Sequence, residues 1–177
     1  MAADVVFPTA VKAQGNNSVV AVQTVATPAS PSLATEINAT SSVNVSFYLY
    51  GGFAPTAEAN KGSAPARLAD TIEREEFGRV KTTIADLQYV YDPQADDTDP
   101  ANAAKAALPE GAEVWLVQRA GLNAETVDFA AAQQVVMHHV VLGPQNKTQT
   151  GDDEFAEFSI TQAVSYLEPP IDGVIAA

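Results

Sequence analysis

The chain has 177 residues, no cysteine, and 9 Lys and Arg against 22 Asp and Glu, a formal net charge of −13. One domain of that length buries roughly 70% of the surface its unfolded chain exposes, and without disulfides or thiolate ligands its stability rests on packing or association. The acidity argues against a basic face for nucleic acid or for an anionic membrane surface, and no apolar run approaches the roughly 20 residues that span a bilayer.

Residues 1–17 lack a clear period and read as an N-terminal arm with a short strand near Val5 to Phe7; nothing in Met1 to Asp4 resembles an export leader. Ser18 to Val25 is dense in β-branched residues and predicts a strand, closed by Thr27-Pro28 and Ser30-Pro31. Ser32 is placed to cap a helical turn running through Glu36. Val43 to Tyr50 alternates, with Val43, Val45, Phe47 and Leu49 on one side, the pattern of a half-buried strand. From residue 51 to 79, Gly, Pro, Ala and charged residues follow one another with no hydrophobic period, which predicts a long loop; such a loop is uncommon in a compact domain unless it has a function.

Val80 to Tyr91 predicts a strand ending at Asp92-Pro93. Thr98 or Asp99 then caps a helix that has Pro100 in its first position, runs from Ala101 to Leu108, and stops at Pro109 and Gly111. Its thin apolar stripe suits a helix lying on one sheet. Val114 to Val117 is apolar on both sides, as in a central strand, with Trp115 as a packing anchor. Gln134 to Leu142 and Phe155 to Leu167 predict two more strands, separated by Gly143-Pro144 and a polar connection from Gln145 to Asp153. In the second, Phe158, Ile160, Val164 and Tyr166 share a face that Gln162 interrupts. Residues 168–177 read as a Pro-rich tail. About five or six strands and one short helix predict a mainly β fold with a minor α component, an antiparallel sandwich or barrel in a single domain of residues 1–177.

Charge is distributed unevenly. Residues 86–177 hold 15 acids against Lys105, Arg119 and Lys147, while residues 61–85 hold five bases against four acids, an asymmetry that lets identical subunits attract one another. Asp92, Asp96, Asp97 and Asp99 form the densest acid cluster, but they lack the ordered spacing and central glycine of a calcium loop, and turn formation and helix capping account for them. Asp152, Asp153 and Glu154 read as a solvated turn. His138 and His139 are strand neighbours that point to opposite faces and do not share a metal readily, so one packs and the other faces solvent or an interface. With no nucleotide loop, no Gly-x-Ser-x-Gly turn and no zinc spacing, the expectation is a protein that is not an enzyme, with no cofactor, catalytic or metal site.

Four segments carry a resemblance: Tyr91 to Thr98, Glu113 to Arg119, Asn146 to Phe158, and Leu167 to Gly173. Together they make the chain similar to the major tail tube proteins of long-tailed, siphovirus-type bacteriophages, particularly those of actinobacterial hosts. The resemblance implies a structural subunit of the virion tail, assembled in the host cytoplasm into stacked hexameric rings around a channel through which phage DNA passes without specific binding. It also implies tape-measure, tail terminator and distal tail proteins as partners, with no membrane, and a long segment at 51–79 that reaches a neighbouring ring. Arg67, Asp70, Glu73, Arg74, Arg79 and Lys81 are then candidates for contacts between subunits. The residues alone also fit a stand-alone β-sandwich binding module, or another virion component such as a decoration or tail terminator protein.

Overall fold

Most of the β-branched and aromatic clusters among the described residues lie in extended, paired backbone. A computed structural model describes residues 9–51, 53–65, 67–69 and 71–177, so the strand expected near Val5 to Phe7 lies outside the described residues. The strands are β1 (Asn17–Val22), β2 (Val43–Asn44), β3 (Leu49–Tyr50), β4 (Thr56–Ser63), β5 (Glu75–Thr83), β6 (Leu87–Val90), β7 (Glu113–Ala120), β8 (Gln134–Gln149), β9 (Phe158–Tyr166) and β10 (Ile171–Val174), with one short helix, α1 (Ala103–Ala107). The hydrogen-bonded order of the larger sheet is β2-β1-β7-β8-β9-β6-β3 with β10 beside β8, and β4 and β5 form a separate two-stranded sheet. The fold is mainly β and antiparallel, as expected, though with more strands, several of them only two to four residues long. The chain groups into two compact units.

The first unit draws on residues 1–47, 114–138 and 170–177. Here β1 runs antiparallel to β7, from Asn17 opposite Ala120 to Val22 opposite Trp115. Both strands are buried along most of their length, because each face is covered. Trp115 joins Val20, Val22, Ile37, Val117, Phe129, Val135, Met137 and Ile175 in one core. Ser32 caps a single π-helical turn, Leu33–Ile37, by accepting from the Thr35 amide, while the Glu36 carboxylate accepts from the amides of Ser32 and Ala26 at 2.7 and 2.6 Å. Residues 168–177, expected as a tail, are instead taken into the sheet: Ile171 to Val174 pairs with Met137 to Gln134 as β10. A Cβ on Gly173 would stand 2.7 Å from the Pro28 carbonyl oxygen, so glycine permits the 28–29 segment to cross β10 closely.

The alternating stretch from Val43 to Tyr50 is not one strand. The Asn44 side chain accepts from the Ser46 amide at 3.0 Å, forming an Asx turn, and the Ser46 hydroxyl accepts from the Val19 amide at 2.7 Å. These local bonds end β2 at Asn44, and Phe47 faces solvent rather than the core.

The second unit spans residues 48–113 and 139–169. Within it β8 pairs with β9, β9 with β6, and β6 with β3, all antiparallel. Asp99 caps the helical segment by accepting from the Ala101 amide at 2.8 Å, Pro100 opens a 3-10 turn, and α1 follows and lies against β6. The strand expected to stop at Leu142 continues to Gln149. Its register against β9 shifts between Leu142 and Gln145, so Gly143-Pro144 form a bulge opposite Ala163, one of the few strand positions that tolerates a proline.

Bulges and helix ends release backbone carbonyls, and buried side-chain amides take them up. Gln162 is fully buried; it donates to the carbonyls of Gly143 and Leu108 at 2.9 and 3.2 Å and accepts from the Tyr89 hydroxyl at 3.0 Å. Gln145 donates to the carbonyls of Lys105 and Leu108, closing the C-terminal end of α1. Asn102 donates to the carbonyls of Asp92 and Ala95 and accepts from the Asp92 amide, which fixes the turn ahead of α1. In the first unit Arg119, also buried, donates to the carbonyls of Asn123, Val127 and Asp128 and to the Ser18 hydroxyl, with its guanidinium 4.6 Å from the centre of the Phe129 ring.

Gln162→Leu preserves approximate volume but leaves the Tyr89 hydroxyl and the Gly143 carbonyl without this partner. The expected loss is about 3 kcal/mol, read as a lower urea midpoint at unchanged slope; an unchanged midpoint would show that water replaces the amide at no cost.

Candidate assembly surface

The segment that shows no period in the sequence is mostly a hairpin. β4 and β5 pair from Thr56 opposite Thr83 to Ser63 opposite Glu75, and every residue of Thr56–Ser63 and of 75–81 is exposed. At its base the hydroxyls of Thr56 and Thr83 lie 3.0 Å apart. Near its tip the Ala64 amide donates to the Arg74 carbonyl at 2.8 Å, and the Ser63 hydroxyl donates to the Glu73 carboxylate at 2.7 Å.

The register determines which side chains share a face. Ala59 pairs with Val80, whereas Lys61 pairs with Phe77, so β5 carries one extra residue and bulges at Gly78-Arg79 opposite Asn60. Regular alternation would put Phe77 and Val80 on opposite faces. With the bulge they share one, together with Ala57 and Ala59, and the Lys61 ammonium sits 5.3 Å from the centre of the Phe77 ring. The opposite face carries Glu58, Asn60, Arg79 and Lys81.

The contact candidates therefore separate. Arg79 and Lys81 stand on the polar face of β5, whereas Arg67, Glu73 and Arg74 line a shallow pocket at the tip with Ile72; Asp70 lies outside the described residues. The reading of charges missed Phe77 and Val80, which are 73% and 65% exposed. Their spacing of three conceals a shared face, since it matches neither side of a regular strand.

The acid clusters serve local turns. The Asp92 carboxylate accepts from the Gln94 amide and that of Asp153 from the Phe155 amide, Asp99 is the helix cap, and Asp97 pairs with Lys105. Among the described residues no group of three or more His, Cys, Asp or Glu is placed to hold a metal, and no helix is long and apolar enough to cross a membrane. The histidines face apart as expected. His139 bonds to the Glu168 carboxylate at 2.9 Å. His138 is fully buried, with Nε2 3.1 Å from the Gln118 side-chain oxygen, and burial pushes its pKa down to about 4.

Fold and surface together define a β-rich building block whose most exposed element is a two-faced hairpin. A family model described as phage tail tube protein matches residues 6–177, and the chain belongs to that family. No curated protein matches the chain. The family is structural rather than enzymatic, and the chain is a structural subunit of a phage tail tube.

Burial of His138 has a consequence for acid stability. Below about pH 6.5 the unfolded chain binds a proton there that the folded chain refuses until about pH 4, so stability falls as pH drops through this window. The contribution is on the order of 3 kcal/mol. His138→Gln should flatten that part of the pH profile in urea unfolding between pH 6.5 and 4, leaving only the carboxylate contribution; an unaltered profile would mean that His138 titrates normally.

Proposed function

We propose that the protein assembles into hexameric rings that stack into a tube around a channel for phage DNA, in a siphovirus-type tail with an actinobacterial host. The observation that carries this reading is the hairpin of 56–83, a two-stranded element exposed on both faces within a chain of the tail tube family. An isolated two-stranded hairpin is marginal in water, and a neighbouring subunit supplies the surface that the hairpin's own chain does not. Its charges fit this use, because residues 61–85 hold five of the nine bases in a chain that is otherwise strongly acidic.

Arg67, Asp70, Glu73, Arg74, Arg79 and Lys81 contribute contacts between stacked rings. Assembly takes place in the host cytoplasm, with tape-measure, tail terminator and distal tail proteins as partners. The net negative charge lets DNA pass during ejection without adhering.

Negative-stain electron microscopy over a concentration series, with light scattering on the same samples, tests the proposal: rings or hollow tubes of uniform width are expected. Thr56 and Thr83 are direct partners, so a short Gly-Ser linker can replace 56–83 without moving the flanking strands. That variant should keep its cooperative unfolding and form no tubes; tubes from it would exclude the hairpin from assembly. Reversing charge at Arg74 and Arg79 should weaken assembly more at low salt than at high salt, because exposed charges are screened within about 10 Å at 0.1 M. Equal assembly at every salt concentration would remove both from the interface.

A further inference from the structure

The bulge in β5 does more than bend a hairpin. It places Phe77 on the same face as Val80, Ala59 and Ala57, and so gathers apolar side chains on an element that its own chain leaves exposed. Bulges commonly re-aim a side chain. Without this one, Phe77 would join Arg79, Lys81 and Glu58, and each face would mix one large apolar residue with charge. With it, Ala57, Ala59, Val80 and Phe77 gather on one face, flanked by Thr82 at the base, by Ser63 and Glu75 toward the tip, and by Lys61, whose ammonium lies over the Phe77 ring, while the other face holds Glu58, Asn60, Arg79 and Lys81 with no large apolar side chain. Gly78, which has no side chain, occupies the bulge opposite Asn60; a Cβ there would stand 3.5 Å from the Asn60 carbonyl oxygen, an ordinary contact, so the bulge does not arise from crowding.

We propose that the Ala57-Ala59-Phe77-Val80 face is the docking surface of the hairpin, and that its occupant is a second copy of this chain. The inference rests on the tube-subunit reading and goes beyond it by assigning the two faces different roles. Two observations favour a second copy. The hairpin region is the one mixed to basic segment of a chain whose residues 86–177 carry 15 acids against three bases, so its rim is electrostatically complementary to the acidic surface of an identical subunit. The apolar face is also narrow and lined by small residues on the β4 side, which suits close approach of another backbone surface. The polar face, with Glu58, Lys81 and Arg79, forms the hydrated rim of the contact, where Lys81 and Arg79 act on the neighbour's acids and Glu58 stays open to solvent.

The native chain has no cysteine, so single substitutions report one face at a time. Ala59→Cys reads the apolar face and Glu58→Cys the polar face, both in the full chain, with a charged maleimide as the probe before and after assembly. Ala59→Cys should react about tenfold or more slowly in assembled material than in free subunits, and Glu58→Cys at a similar rate in both. Val80→Glu should abolish assembly while leaving unfolding unchanged, because that side chain touches solvent in the subunit. Assembled material in which Ala59→Cys reacts as fast as in subunits, or in which Val80→Glu assembles like the native chain, would overturn this assignment and leave the tube reading intact. A native chain that gives no rings or tubes would overturn the tube reading, and this inference with it.

Discussion

A buried backbone carbonyl or amide must find a partner, and most of this structure's departures from a regular sheet depend on how that requirement is met. Ladders satisfy it along β1 and β7. Where ladders break, a buried polar side chain stands in: Gln162 at the β8 bulge, Gln145 at the end of α1, Asn102 in the turn before it, and Arg119 beneath residues 123–128. Gln162 and Gln145 connect segments far apart in sequence, while Asn102 and Arg119 fix the turns beside them, so the irregular parts are as determined as the strands. They are also the costly positions to lose, because removing the donor leaves carbonyls that water must then reach.

Irregularity has a second use in the hairpin of β4 and β5. In β8 the extra residue is absorbed internally and its carbonyl is satisfied by Gln162. In β5 the extra residue changes which side chains face the same way, and the product is an apolar face on an element otherwise in solvent. A tail tube subunit needs such surfaces, since a closed assembly covers faces and edges that invite uncontrolled association in a free chain. Under the proposed stacking, the acidic bulk of the chain would restrain the free subunit by mutual repulsion, and the basic residues near the hairpin would give the encounter a direction.

The sequence makes the regular parts readable. The β-branched run at Val19 to Val22, the apolar stretch around Trp115 and the Asp99-Pro100 helix start all stand where propensity and pattern put them. What it conceals has physical causes. Asn44 and Ser46 divert the backbone into a turn although the hydrophobic alternation around them is intact. Gly143-Pro144 reads as a strand end because proline rarely enters a ladder, and only the partner strand reveals a bulge. Gln162, Asn102 and Arg119 look like surface residues until the carbonyls they serve are located in space. The hairpin shows no period because its bulge breaks the period, and for the same reason the shared face of Phe77 and Val80 is hidden behind the charged residues around them.

The central claim is that a solvated hairpin becomes covered when subunits assemble. Amide hydrogen exchange on free subunits and on purified tubes tests it directly, followed over peptides spanning 56–83 and, as an internal reference, the buried strand at 114–118. The account predicts fast exchange across 56–83 in subunits, strong protection there in tubes, and little change at 114–118. Tubes whose 56–83 amides exchange as fast as those of free subunits would contradict it.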